Sequence, residues 1–278
     1  MIEINKIYIE NCLSTMSKMP NDFCDMVLTS PPYDKARSYN QDIDKQNFNG
    51  YSFDFEPIAK ELARILKPGG IITWVVNDST INGSETLNSF RQALYFKNNC
   101  GLNVHDTMIY AKNNYVPLTH NRYEQQFEYC FLFSKGKPKT FNPIKVPCKE
   151  AGRVKRINYV CANSKEKGAA VRSGELREGD NNEMIIKNDK IGPNIWFYSV
   201  GARHSAEEKC AYKHPAVFPE RLVSNQISSW SNENELIYDC FMGSGTVAKI
   251  AKRLKRNYIG SELNPEYQTI WEERLLNA

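Results

Sequence analysis

The chain has 278 residues, 41% hydrophobic and 24% charged, with a formal net charge of +4. That length suits one α/β domain carrying a smaller insertion, and so small a basic excess excludes a histone-like polycation, so a nucleic-acid surface has to be local. Eight scattered cysteines without a C-x-x-C pair argue against zinc or any other metal and against a disulfide framework, and with neither a signal-peptide pattern nor an apolar run of spanning length, a soluble cytoplasmic protein is expected.

In chain order, Lys6 to Glu10 reads as a strand, and Leu13, Met16 and Met19 form a weak helical face that Pro20 stops. The apolar run Met26-Val27-Leu28 then delivers Thr29-Ser30-Pro31-Pro32-Tyr33. The prolines have no N–H and hold φ, so the backbone stiffens and its carbonyls stay available as acceptors. Ser30 adds another acceptor and Tyr33 a flat face for a planar heterocycle. Together these residues describe a clamp for an amino group; the competing reading is a rigid turn that closes a strand. The polar stretch from Asp34 to Gly50 reads as a loop and a candidate lid, with Arg37 a candidate phosphate contact.

Phe55, Ile58, Ala59, Leu62 and Ile65 fall on one helical face, Lys67-Pro68-Gly69-Gly70 reads as the turn that ends it, and Ile71 to Val76 as a strand. Leu87, Phe90 and Leu94 again have helical spacing, followed by strands from Val104 to Ala111 and from Gln126 to Phe133. The loops at Lys112–Pro117 and Asn121–Glu124 are candidate walls of a base pocket. From Lys135 to Arg172 the composition shifts: eleven Lys/Arg face only Glu150 and Glu166, with no clear hydrophobic period. Charge alone fits either a solvated linker or a nucleic-acid surface.

Ile195 to Tyr198 re-enters the sheet, and Pro219-Glu220 opens a helix carrying Leu222, Val223, Gln226, Ile227 and Trp230. His214, before a proline, reads as structural. Leu236 to Asp239 is a strand running into Cys240-Phe241-Met242-Gly243-Ser244-Gly245-Thr246, then a helix, then a strand that ends at Glu262. A glycine turn after one strand and an acid at the end of the next is how doubly wound sheets hold a nucleoside. A last helix, Tyr267 to Leu275, is expected to cover the sheet.

The tetrapeptide Ser30–Tyr33 and the turn Phe241-x-Gly243-x-Gly245 resemble the catalytic and cofactor motifs of amino-group DNA methyltransferases that use S-adenosylmethionine. Their order, catalytic motif first, resembles the permuted β class. Cys240 stands where proline is common and Ser261 where a branched apolar residue is usual; neither removes a group that the chemistry needs. The resemblance implies an α/β fold with a doubly wound, mostly parallel sheet (Rossmann-like), divided into a catalytic half 1–134, a small basic target-recognition insertion 135–193 and a cofactor half 194–278. It implies catalysis by Ser30, Pro31, Pro32 and Tyr33. S-adenosylmethionine would be held by Asn11, Cys12, Phe218, Asp239, Phe241, Gly243, Gly245, Thr246 and Glu262. Double-stranded DNA would be held by Arg37, Lys145, Lys149, Arg153, Lys155 and Arg156. A homodimer and a cognate restriction endonuclease are further partners the resemblance brings.

Ser30 and the segment His214-Pro215-Ala216 with Phe218-Pro219 resemble the cytosine-N4 members more than the adenine-N6 members, so cytosine N4 is the expected acceptor and adenine N6 the alternative. Other chemistries fit less well. The Pro147-Cys148 dipeptide of a cytosine-C5 enzyme lies inside the insertion, a phosphate-binding loop would need Lys-Ser/Thr after its glycines, and a dehydrogenase would need a third glycine where Ala248 stands. Protein glutamine methyltransferases share an Asn-Pro-Pro-Tyr clamp but place the cofactor motif first. A catalytically silent DNA-binding module is the alternative from another class.

Overall fold

The computed structural model describes residues 2–32, 54–114, 121–156, 174–176, 183–201 and 204–278. Tyr33, Arg37 and the candidate lid lie outside the described residues, and for Lys155 and Arg156 only the backbone is described.

Two compact units divide the chain: Met1–Asn142 with Asn194–Ala278, and Pro143–Pro193. The larger unit begins with β1 (Lys6–Ile9), α1 (Cys12–Ser17), β2 (Cys24–Thr29), α2 (Phe55–Ile65) and β3 (Leu66–Val76). A two-residue hairpin, β4 (Thr80–Ile81) and β5 (Ser84–Glu85), precedes α3 (Asn88–Asn98), β6 (Asn103–Lys112) and β7 (Phe127–Ser134). The smaller unit contributes β8 (Lys145–Pro147), β9 (Val154–Arg156), β10 (Gly174–Leu176), β11 (Glu183–Ile186) and β12 (Asp189–Ile191). The chain returns with β13 (Ile195–Tyr198), α4 (Glu220–Trp230), β14 (Leu236–Asp239), α5 (Thr246–Arg253), β15 (Asn257–Glu262) and α6 (Gln268–Leu276).

The main sheet has the order β1-β15-β14-β2-β3-β7-β6-β13, and β7 alone runs antiparallel to its neighbours. Strand β2 is apolar almost without interruption because both of its faces are covered. Val27 packs with Leu62, Trp74 and Phe96 on one face, whereas Met26 and Leu28 pack with Val75, Ile227 and Ile250 on the other. The helix α2 after β2 therefore covers one face and α5 after β14 the other. Strands β2 and β14 lie side by side, Met26 opposite Ile237 and Val27 opposite Tyr238. Successive helices leave on opposite faces at this pair of strands, and such a switch point opens a ligand crevice beyond the carboxyl ends of the strands.

Several local expectations change. Lys67–Gly70 is not a turn: β3 starts at Leu66, which pairs with Cys24, and a register shift brings Met26 opposite Ile71. Gly69, at φ +82°, donates its N–H to the Lys135 carbonyl at 2.7 Å and accepts from Lys139 N at 3.0 Å, so the extra residues form a bulge pinned by the segment after β7. That segment, residues 135–142, belongs to the larger unit, and Asn142 N–H donates to the Ser229 carbonyl at 2.8 Å. In α3 the buried face is Ser89, Ala93 and Phe96, while Leu87, Phe90 and Leu94 are exposed. Helix α6 packs Ile270 and Trp271 with Cys210 and Tyr267, over the 3-10 turn Lys209–Lys213 and α5, and meets the sheet at its edge, where Ile7 of β1 packs against the same cluster.

The smaller unit has more structure than its composition promised. Lys145 pairs with Ile191 in the β8–β12 ladder, and β9-β11-β10 form a second antiparallel sheet. Strands of three or four residues are too short to leave a legible period. Pro147-Cys148 lies at the end of β8, where Cys148 N–H donates to the Asn188 carbonyl at 2.9 Å. Among the described residues no helix is long and apolar enough to cross a membrane.

Candidate active site

A cavity of about 900 Å³ lies at the carboxyl edge of the larger unit's sheet. Ser30, Pro31 and Pro32 enter it from the end of β2, Asp239 to Met242 with Ser244 and Thr246 from the end of β14, and Glu262 from the end of β15. The clamp and the glycine turn thus open onto one space. Asn11, Cys12 and Phe218 also line it. Asn11 caps α1 by accepting the Leu13 N–H at 2.9 Å, and burial pushes the Cys12 thiol up to about 11, so it is a neutral wall.

The turn's shape depends on two residues without a Cβ. Gly243 has φ +51°, and a Cβ there would come within 2.9 Å of His214 Nε2; Gly245 has φ +77°, and a Cβ there would come within 2.4 Å of the Trp271 Cβ. His214, expected to be structural, packs on the turn, stands edge-on to Tyr267 with ring centroids 4.4 Å apart, and lines the cavity. Glu262 Oε2 accepts the Gly243 N–H at 2.7 Å and Oε1 the Asn264 N–H at 2.9 Å. Burial pushes its carboxyl above the usual carboxylate range, against those two N–H groups.

Two of the expected cofactor residues use their polar atoms inside the protein. Asp239, buried, accepts from Thr29 Oγ1 at 2.6 Å and from Phe241 N–H at 3.0 Å. Burial pushes its carboxyl up to about 7, more than these donors lower it. Thr246 Oγ1 lies 2.9 Å from Arg274 Nη1, which also donates to the Ser244 carbonyl at 2.7 Å. Arg274 Nη2 reaches Glu220 Oε1 at 2.7 Å, and Lys249 Nζ reaches the same oxygen at 2.9 Å and Glu208 at 2.5 Å. Arg274 and Lys249 side chains are fully buried. Burial works against the Lys249 ammonium, but its bonds to Glu208 and Glu220 prevail and hold its pKa above the ordinary value.

This ion cluster under the turn was not read from the sequence, where Glu220 was only a helix opening. A signal was present: Lys249 interrupts Val247-Ala248 and Ile250-Ala251, and Arg274 follows Ile270-Trp271 on an otherwise apolar helix face. Charges so placed need buried partners.

The opposite wall comes from the ends of β6 and β7: Tyr110, Lys112, Asn114, Glu124, Gln125 and Glu128. These include the loop residues expected around a base pocket. Lys112 Nζ lies 2.6 Å from Glu128 Oε1, and Gln125 Nε2 donates to Asn77 Oδ1 at 2.6 Å.

The proposed DNA contacts lie in the smaller unit. Lys145 pairs with Asp189 at 3.3 Å and Arg153 with Glu150 at 2.6 Å, both pairs well exposed, and Lys149 is exposed. Exposed pairs of this kind contribute about 0–1 kcal/mol, so a phosphate can replace the acid.

Residues 24–273 match the DNA methylase family N6_N4_Mtase. Orphan methyltransferase M.BamHII of Bacillus amyloliquefaciens is 45% identical over 253 residues, 91% of this chain and 89% of that protein. The chain belongs to the N6/N4 DNA methylase family. Type II methyltransferase M1.MboII of Moraxella bovis is 29% identical to this methylase, over 96% of the chain and 95% of the relative. Among solved structures, PvuII DNA methyltransferase (cytosine-N4-specific) superposes with a TM-score of 0.67 at 19% identity, covering 97% of this chain and 85% of the other. The complex of M1.HpyAVI with SAM superposes with a TM-score of 0.57 at 22% identity, covering 97% and 98%. The Rossmann-like fold of this methylase is therefore shared with enzymes of very different sequence.

Proposed function

We propose that this methylase transfers a methyl group from S-adenosylmethionine to N4 of a cytosine turned out of double-stranded DNA. The observation that carries the reading is that the Ser30-Pro31-Pro32 segment and the residues from the end of β14 into the glycine turn, Asp239–Met242 with Ser244 and Thr246, line a single cavity across neighbouring strands β2 and β14.

The residues present fit the cofactor. The turn approaches the cavity with backbone alone at Gly243, Glu262 stands at the end of the next strand with its carboxylate aimed at the turn, and Phe241, Asn11 and Cys12 make a half-polar wall beside it. Glu262 would bind the ribose hydroxyls, Asn11 and Cys12 would border the adenine, and Phe218 would pack on the methionine end. When bound, the cofactor supplies a methyl group on a positively charged sulfur, open to in-line attack.

The protein's part is alignment and activation. Cytosine's amino nitrogen is planar because its lone pair is delocalised into the ring. Ser30 Oγ and the Pro31 carbonyl accept its two hydrogens, which favours a pyramidal nitrogen with the lone pair aimed across the cavity. The N–C bond would form as the methyl–sulfur bond breaks, the sulfur leaving as a neutral thioether; the same acceptors take up the strengthened N–H dipoles of the now positive nitrogen, which then loses one proton to solvent. Tyr33 stacks on the ring. Flipping the base costs a few kcal/mol of unstacking, offset by pocket contacts and by phosphate contacts from the basic smaller unit.

Cytosine N4 is favoured over adenine N6 by Ser30 at the first clamp position. One relative is named an orphan and another a type II enzyme; a companion endonuclease and a homodimer are not part of the assignment, and cytoplasmic residence follows from the substrate. Mass spectrometry of nucleosides from duplex DNA treated with the protein and methyl-labelled S-adenosylmethionine tests the reading. Labelled N4-methylcytosine is expected. Labelled N6-methyladenine would replace cytosine with adenine, and tight DNA binding with no label in any nucleoside would leave a silent DNA-binding module.

A further inference from the structure

The far wall of the cavity carries an ion pair that the alignment chemistry above does not use. Lys112 closes β6 and Glu128 stands near the start of β7, with Nζ and Oε1 2.6 Å apart and the side chains 21% and 11% exposed. Both line the cavity that Ser30 enters. Strand alternation puts Lys112 and Glu128 on the same face of the sheet, and Ser30 enters the same cavity from the end of β2. Leu28, Tyr110 and Cys130 share one core cluster; Lys112 and Glu128 lie two residues from Tyr110 and Cys130 along β6 and β7, and Ser30 lies two residues past Leu28, just beyond the end of β2. Tyr110 stands directly opposite Glu128 in the β6–β7 ladder. Only β3 and β7 separate β2 from β6, roughly 14 Å by strand spacing. A pyrimidine flanked by a serine on one edge and a lysine on the other fills such a gap.

Stability is a poor reason for this pair. Taking both ions largely out of water costs about as much as their attraction returns, and an apolar pair would serve a core as well. A pair kept at the wall of a substrate cavity is better explained by what it offers the substrate.

We infer that Lys112 is a specificity-determining residue that reads the ring edge of the target base, donating to the O2 acceptor of cytosine while the amino group sits in the Ser30–Pro31 clamp. The inference rests on the amine-transfer reading above and deepens it. Cytosine's pairing edge presents a donor, N4, and then two acceptors, N3 and O2. Acceptors at the clamp satisfy the first, and an ammonium, with three donors and no acceptor, satisfies the last. Adenine carries a C–H where cytosine carries O2, so it leaves the ammonium without that partner. With adenine Lys112 keeps its bond to Glu128 but loses the one to the base, and a site built to bond a substrate's polar atom disfavours the analogue that lacks it. Glu128 has a matching role: it fixes the ammonium and cancels its charge, which would otherwise oppose the positive charge that the base acquires as it takes the methyl group.

The test uses the full chain and its Lys112→Met and Lys112→Arg variants, on duplexes carrying the parent enzyme's own methylation site, first found by methylation mapping of treated DNA, with either cytosine or mispaired adenine at the target position. Equilibrium binding of S-adenosylmethionine is measured beside single-turnover rates. K112M is expected to keep its cofactor Kd within about two-fold and to lose about 30-fold or more in rate on cytosine, with the cytosine-to-adenine preference falling by about ten-fold. K112R, which keeps charge and pairing but displaces the donors, is expected to fall between. An unchanged preference in K112M, or a loss of cofactor affinity in step with rate, would overturn the inference. If K112M does not fold, the preference of K112R decides: unchanged, it overturns the inference; lowered, it supports it. The parent enzyme's product separately decides the amine-transfer reading, since labelled N6-methyladenine from the parent would end that reading whatever the variants do.

Discussion

Thr29 Oγ1 donates to Asp239 Oδ1 at 2.6 Å, joining the last residue before the clamp to the last residue before the glycine turn across 210 positions of sequence. The same carboxyl oxygen accepts the Phe241 N–H at 3.0 Å. One buried acid therefore sets the spacing between the segment proposed to hold the acceptor and the turn proposed to hold the donor. Thr29→Val keeps the shape and removes the hydroxyl. It is expected to cost about 1–3 kcal/mol of stability, as an under-satisfied buried acid does, and to weaken cofactor binding, measured by chemical denaturation and by titration calorimetry.

Asp239 also gives stability a pH dependence. Its folded pKa is raised to about 7, so the folded state binds the proton more tightly than the unfolded chain, whose aspartate titrates near 3.9. The stabilisation is fully present below about pH 4 and is lost as pH rises through about 7. Asp239→Asn cannot titrate. Relative to the parent, it is expected to gain in melting temperature between pH 5 and pH 8, by about 5 °C or more; scanning calorimetry at the two pH values checks this.

Arg274 is the bolt between α6 and the turn. Replacing it with methionine takes from Glu220 one of its two buried cations, leaving only Lys249, and removes the donor to the Ser244 carbonyl. A loss of about 3–5 kcal/mol of stability is expected. Cofactor Kd should rise by about ten-fold or more, while DNA affinity, measured by fluorescence anisotropy, stays within about two-fold.

Gly243→Ala sets a methyl group against the His214 ring at a positive φ. The variant is expected to bind S-adenosylmethionine about ten-fold more weakly. Adding His214→Ala should restore part of that loss, with a coupling of about 0.5–3 kcal/mol in a double-mutant cycle.

Much of the sheet and the two segments that line one cavity were legible because they obey strong local rules. Met26-Val27-Leu28 and Leu236-Ile237-Tyr238 are short apolar runs that end in chemistry-bearing turns, and the glycines of Gly243–Gly245 mark a backbone that must curve tightly. The bulge at Gly69 was read as a turn, because Pro-Gly-Gly looks the same until the segment after β7 is seen to bond to it. The apolar stripe Leu87, Phe90 and Leu94 gave the helix but not its buried face, which is made by the small residues Ser89 and Ala93 with Phe96. Glu220, Lys249 and Arg274 meet only in three dimensions, and spacing along the chain says nothing about that meeting. The pair Lys112–Glu128 is hidden for the same reason: each residue sits at the end of a strand, and only the antiparallel ladder brings the two together.

The most direct test of the shared cavity is a split measurement on Ser30→Ala: cofactor Kd by calorimetry and the single-turnover rate of methyl transfer to duplex DNA. Since the proposed role of Ser30 is to grip the acceptor and not the donor, Kd is predicted to stay within about two-fold while the rate falls by about 100-fold. A rate equal to the parent's, at unchanged Kd, would contradict the clamp and with it the alignment of amine and methyl group in one space.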